Sequence, residues 1–182
     1  MIHLYNNYFT DAEIAEVSAY AQNIEYDQYS DCFIRNRIPR MEVPKLFDRK
    51  MRHLIKHANN EHFNFELDAP LQLERYLFAE YTEGHSCGLH QDMYSTMFFE
   101  DNVRKLSVIT CLENTAIGGE LVFHYSDSLT QLGYDKIVEQ ESHLLSKGDV
   151  IIFPSQIYHR VREVTQGRRR TLLTLVLGPK FK

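Results

Sequence analysis

The hydrophobic period of the chain changes about a third of the way along. Thr10-Asp11-Ala12-Glu13 is a capping-box pattern: the Thr10 hydroxyl can accept from the Glu13 backbone N–H while the Glu13 side chain reaches back. Ile14, Val17, Ser18 and Ala21 follow at helical spacing, so a helix is expected over 11–22. Residues 23–42 mix Tyr26, Tyr29, Phe33 and Ile38 with Asp27, Arg35, Arg37 and Arg40. They read as irregular structure or short strands lying over a site, or as a surface loop with snorkelling arginines. Pro44 suits the first turn of a second helix, whose apolar face is Phe47, Met51, Leu54, Ile55 and Ala58 and whose end is Asn59-Asn60. His53 and His57 sit four apart on it without the acidic neighbour of a metalloprotease helix, so they read as exposed histidines.

After Pro70 the pattern becomes that of strands. Leu71, Leu73, Arg75, Leu77 and Ala79 alternate with Gln72, Glu74, Tyr76, Phe78 and Glu80, which predicts a strand partly covered on both faces. Further aliphatic or β-branched runs follow at 106–112, 120–125, 150–153, 156–161 and 170–177, separated by turn residues. Gly118-Gly119 and Lys147-Gly148-Asp149 read as tight turns. Helices followed by about seven or eight strands predict an α+β fold: an antiparallel sandwich or jelly roll with the N-terminal helices packed on one sheet.

Length and charge narrow the function classes. A chain of 182 residues suits one domain that buries about 70% of its unfolded surface, with 1–69 as mainly helical support and 70–182 as the strand core. A net charge of −5 argues against a broad basic surface for duplex nucleic acid. The apolar runs are too short to span a membrane, and the N-terminus lacks the pattern of a secretory signal. Three cysteines (Cys32, Cys87, Cys111) without CxxC spacing point to a reducing cytoplasm rather than a disulfide framework.

The candidate chemistry centres on Tyr81-Thr82-Glu83-Gly84-His85-Ser86-Cys87-Gly88-Leu89-His90-Gln91-Asp92, a strand end, a glycine turn and a His-x-Asp pair. Nine histidines can produce such a pair by chance, so the reading rests on its company. His159, in an apolar strand, is the candidate third ligand. Two imidazoles and a carboxylate on a β-wall form a facial triad suited to non-haem Fe(II) and oxygen; zinc is chemically possible too. About ten residues later comes Gly167-Arg168-Arg169-Arg170. One of these arginines, turned inward and buried, would demand an anion, such as the far carboxylate of a dicarboxylate that chelates iron at its other end. The others read as a solvated basic turn.

The chain resembles the Fe(II)/2-oxoglutarate-dependent dioxygenases, in their prolyl-hydroxylase-like branch with its bacterial PKHD-type hydroxylases. The resemblance runs from about Leu73 to Gly178. It is carried by Arg75-Tyr76, Tyr81 to Asp92, Leu106-Ser107, Gly118 to Phe123, Lys147-Gly148-Asp149, Ile152 to Ser155, His159-Arg160-Val161 and Val164 to Arg169, in order. It implies that His90, Asp92 and His159 hold Fe(II). It also implies that Arg169, second after the glycine, binds 2-oxoglutarate, and that Tyr81 hydrogen-bonds the cosubstrate or lines its pocket. Arg168 and Arg170 compete for that register. Where the family often carries an aromatic, this chain has Ile109-Thr110-Cys111-Leu112.

The implied reaction consumes O2 and 2-oxoglutarate, hydroxylates the substrate and releases succinate and CO2, with ascorbate as a stimulant. A protein or peptide substrate is expected, with proline as the target residue. Tyr26, Tyr29, Phe33, Tyr94, Phe98 and Phe99 could frame an extended peptide, with mobile segments at 93–105 and 126–142. A free amino acid or other small metabolite is the alternative. Nucleic-acid demethylating relatives carry a second arginine six residues after the first, where this chain has Leu175 or Val176. A non-enzymatic binding module would be expected to lack a ligand, whereas all three candidates are present.

Overall fold

The computed structural model describes residues 2–21, 27–29, 33–38, 43–74, 76–93, 102–127 and 136–181. Two helices, α1 (Asp11–Ala21) and α2 (Lys45–Ala58), pack on one face of a seven-stranded antiparallel sheet. Its strands are β1 (His3–Tyr5), β2 (Asp27–Tyr29), β3 (Phe33–Ile38), β4 (Tyr76–Thr82), β6 (Asn102–Asn114), β10 (Val150–Pro154) and β13 (Arg168–Pro179), in the order β1-β10-β6-β13-β4-β3-β2. A second sheet joins β5 (Cys87–His90), β11 (Tyr158–Val161), β8 (Leu121–Asp127) and β9 (Lys136–His143) in that order. A short pair links β7 (Ile117–Gly118) and β12 (Val164–Gln166).

The central strands β10 and β6 are buried on both faces, so they read as continuous apolar runs rather than clean alternations. Val150 and Ile152 join the helix-side core, whereas Ile151 and Phe153 join the core shared with the second sheet. Leu172 and Val176 turn to the helices and Leu173 turns the other way. This period of two decides which side chains of β13 enter the space between the sheets.

The capping box forms as expected. Thr10 N donates to Glu13 Oε2 at 2.9 Å, and Glu13 N donates to Thr10 Oγ1 at 3.4 Å. Lys50 Nζ lies 2.8 Å from Glu13 Oε1 and ties α2 to α1. His53 and His57 are exposed.

Several elements differ from the sequence expectation. Helical structure continues past Asn59-Asn60 as a π-helical turn, Asn59–Phe63, and stops at Asn64, whose φ is 52°. The Asn59 side chain is occupied with Phe65, donating to its carbonyl and accepting from its N–H at 3.0 Å each, so Asn64 supplies the left-handed stop instead. β4 is described from Tyr76, with Leu73 making an isolated bridge to Val176. β9 occupies part of the segment expected to be mobile at 126–142, and β6 begins within the other, at Asn102. Of 23–42, β2 and β3 extend the large sheet beyond β4. The rest of that stretch, with Tyr26, and also Tyr94, Phe98 and Phe99, lies outside the described residues. No helix among the described residues is long and apolar enough to cross a membrane.

Candidate metal centre and adjoining cavity

Strand pairing assembles the three candidate ligands. β5 and β11 are antiparallel neighbours, with His90 directly opposite His159. Their ring centroids are 4.3 Å apart. Asp92 lies just beyond β5, where its N–H and that of Met93 both donate to the Ser155 carbonyl, at 3.0 and 3.1 Å. His90 Nε2 is 3.6 Å from Asp92 Oδ1, and His159 Nε2 is 3.6 Å from Asp92 Oδ2. One donor atom from each residue falls within 4.8 Å of the other two, a spacing that can hold a metal ion.

Each imidazole is oriented by its other nitrogen. Nδ1 of His90 lies 2.8 Å from the Gly88 carbonyl and Nδ1 of His159 lies 3.0 Å from the Ile157 carbonyl. With Nδ1 donating to those carbonyls, Nε2 is the ring atom turned toward Asp92, and a metal bound there would take it in place of a proton. Burial resists ionisation of Asp92, but the hydrogen bonds from His90 and Ser107 and the charge of His159 outweigh it and hold the carboxyl well below the usual range. Burial likewise opposes charge on His90, yet contacts with Asp92 and Cys87 push it up to about 10.

The three consecutive arginines separate by register. Arg168 pairs with Glu113, its Nη2 2.7 Å from Oε1. Arg170 pairs with Glu80 and, at 3.3 Å, with Glu113. Arg169 points the other way, is only 2% exposed, and its Nη2 has no hydrogen-bond partner among the described residues. Its guanidinium carbon stands 5.2 Å from the Tyr81 ring centroid. One cavity is lined by His90, His159, Tyr81 and Arg169, together with Thr171, Ile109, Leu121 and Leu173. A buried cation with an unmet donor is costly, and an anion in that cavity removes the cost.

The glycine turn contributes more than a change of direction. A Cβ at Gly119 would sit 3.3 Å from Arg169 Cδ and 3.0 Å from Val164 Cγ2, so the missing side chain leaves room for the arginine stem. Cys111, at the position of the departure from the family pattern, directs its thiol to the Leu145 carbonyl at 3.5 Å. Burial pushes that thiol up to about 11 despite the nearby Arg169 charge.

Sequence reasoning left the polar partners of the cluster unnamed. Ser107 Oγ donates to Asp92 Oδ2 at 2.7 Å, and Arg104 Nη1 donates to the Asp92 carbonyl at 2.9 Å. Ser107 had a visible signal: it is one of two hydroxyls, with Thr110, inside the apolar run of β6.

Residues 73–177, more than half of the chain, match the 2OG-Fe(II) oxygenase superfamily. The chain belongs to that superfamily, and membership brings Fe(II), 2-oxoglutarate and O2 as cofactors. It is similar to a PKHD-type hydroxylase of Parvibaculum lavamentivorans, 32% identical over 103 residues, covering 56% of this chain and 41% of the relative. The chain spans about half the length of the curated relatives it matches. Among solved structures, its fold is similar to a Pseudomonas putida prolyl-4-hydroxylase, with a TM-score of 0.68 and 16% identity over 98% of this chain and 93% of the other. It is also similar to a Trichoplax adhaerens prolyl hydroxylase in complex with a hypoxia inducible factor peptide fragment, with a TM-score of 0.67 and 16% identity over 96% of this chain and 82% of that one. The α+β jelly roll expected from the sequence is the architecture observed.

Proposed function

We propose that this chain is a 2-oxoglutarate-dependent hydroxylase in which His90, Asp92 and His159 hold Fe(II) and Arg169 binds the far carboxylate of 2-oxoglutarate. The observation that carries the reading is the unpartnered, buried Nη2 of Arg169 in a cavity also lined by both imidazoles. The donor set fits: two imidazoles, deprotonated at Nε2 when a metal binds, and one carboxylate suit a ferrous ion that must keep open positions. Bound there, the iron supplies the oxidising chemistry that couples 2-oxoglutarate breakdown to succinate and CO2 with substrate hydroxylation.

The chain's own residues bind, orient and exclude water. Carbonyls of Gly88 and Ile157 fix the imidazole tautomers. Arg169 provides a planar fork for a carboxylate, which aligns a dicarboxylate along the cavity. Tyr81 covers the guanidinium face and, in this reading, contacts the same cosubstrate. Ile109, Leu121 and Leu173 keep the lining apolar, which strengthens charge interactions inside it.

For the substrate, a peptidyl residue, with proline first, is the reading supported by the prolyl hydroxylases of similar fold, one of them holding a peptide. Residues 1–182 act as one dioxygenase unit in this proposal, since α1, α2 and the large sheet share a core. The free, buried Cys87 and Cys111 are in keeping with a reducing cytoplasm. The test is succinate formation with Fe(II), 2-oxoglutarate and ascorbate, comparing proline-rich peptides with free amino acids. Peptide-stimulated turnover is expected; stimulation by free amino acids alone would assign a small-metabolite hydroxylase. Succinate formation that survives both His90→Ala and Asp92→Ala would overturn the site.

A further inference from the structure

Beneath Asp92 lie two serines, each fully buried. Ser107 sits in β6 between Leu106 and Val108, opposite Phe153 of β10. Ser155 directly follows β10. Ser107 Oγ lies 2.7 Å from Asp92 Oδ2 and 2.9 Å from Ser155 Oγ. The direction of both bonds follows from counting protons. An ionised carboxylate only accepts, and a hydroxyl has one proton to give. Ser107 spends its proton on Asp92, so the proton between the two hydroxyls comes from Ser155. The result is a one-way chain, Ser155 to Ser107 to Asp92, in which each donation strengthens the next.

The same residues hold the Asp92 backbone. The Ser155 carbonyl receives the N–H groups of Asp92 and Met93, and Ser155 N donates to the Lys105 carbonyl at 3.0 Å. Arg104 binds the Asp92 carbonyl while its Nη2 lies 2.8 Å from Glu74 Oε2. Asp92 is therefore fixed at its N–H, its carbonyl and one carboxylate oxygen. The other oxygen, Oδ1, lies 3.6 Å from His90 Nε2 and receives no hydroxyl hydrogen bond among the described residues.

We infer that Ser107 and Ser155 are positioning residues, a hydroxyl pair that engages Oδ2 and leaves Asp92 to offer the metal a single oxygen, Oδ1. A carboxylate free to turn could bind through both oxygens and occupy a position that 2-oxoglutarate or O2 needs. This inference rests on the reading that His90, Asp92 and His159 form a metal site.

The test uses the full chain and metals alone. Mn(II) affinity is measured by titration calorimetry, and coordination by the visible absorption of the Co(II) form, for wild type, Ser107→Ala, Ser155→Ala and the double variant. Thermal unfolding of the metal-free proteins reads the purely structural effect. Ser107→Ala is expected to weaken Mn(II) binding about 10–100-fold and to change the Co(II) spectrum. Ser155→Ala is expected to weaken binding less, and the double variant to match Ser107→Ala, because Ser155 acts through Ser107. Wild-type affinity and an unchanged Co(II) spectrum in Ser107→Ala, with only its unfolding temperature lowered, would overturn the inference. Should Ser107→Ala not fold, wild-type affinity in Ser155→Ala overturns it. A wild-type chain that takes up no Mn(II) overturns the metal reading itself, and this inference with it.

Discussion

Arg169 and Tyr81 are cross-strand partners, directly opposite one another in the β13–β4 pairing. Both are buried, and the guanidinium lies over the ring. Their neighbours Arg168 and Arg170 face the other side of the sheet and pair with Glu113 and Glu80. Removing a buried charge that binds an anion costs about 2–5 kcal/mol. Arg169→Ala should therefore raise the KM for 2-oxoglutarate by at least about thirtyfold. Arg168→Ala removes a partly exposed ion pair worth about 1 kcal/mol or less and should leave that KM within about twofold. Steady-state kinetics on the two variants check the register, and the reverse order would reject it.

Metal should stabilise the folded chain. Mn(II) at a hundred times its Kd adds about 2.7 kcal/mol to a native state that alone binds it. The unfolding temperature of the wild type should therefore rise with Mn(II), and that of Asp92→Ala should not. An equal rise in both, followed by differential scanning calorimetry, would place the ion elsewhere.

The link between α1 and α2 carries a pH dependence. The hydrogen bond from Lys50 holds the Glu13 carboxyl below its ordinary value of 4.5 against the opposing effect of burial, and the Thr10 cap adds to it. A carboxyl whose folded pKa is depressed binds protons more weakly in the folded than in the unfolded state. Its stabilisation is present above about pH 4.5 and is lost as pH falls toward the lower folded value. Glu13→Gln should cost about 0.5–1 kcal/mol at neutral pH, and the difference from wild type should shrink below pH 4.5. Urea midpoints at neutral and acid pH give the comparison; a penalty that persists in acid would assign the effect to packing.

Phe47 anchors α2 to the sheet. It is 1% exposed and stacks on Phe9 with centroids 4.3 Å apart. Phe47→Ala should cost about 3–5 kcal/mol by chemical denaturation. A loss below about 1 kcal/mol would mean that the helix layer can collapse onto the vacancy.

The elements legible in the sequence were those whose signal is local. The Thr10–Glu13 box and the apolar face of α2 repeat at helical spacing, and both helices form where that spacing predicts. β1 was not legible, because three residues offer too few alternations to register. β9 was hidden for the opposite reason: Glu139, Gln140, Glu141 and Ser142 are exposed on the outer strand of their sheet, where charge prevents unwanted pairing but also resembles a loop. At the site, residue types and spacing pointed to His90, Asp92 and His159, and the structure brings them together. Which of Arg168, Arg169 and Arg170 faces the cavity depended on register, which the β13–β4–β6 pairings supply. The Ser107–Ser155 contact joins residues far apart in sequence and left no mark in spacing.

The pairing of His90 with His159 has a consequence for how the protein matures. Their separation is that of directly opposite residues in the β5–β11 ladder. A chain that reaches its native register has already shaped the receptacle. In the proposed site, iron loading would then complete assembly rather than trigger folding, the reverse of a zinc finger. A folded reserve could wait for iron, and its activation would follow metal supply instead of new synthesis.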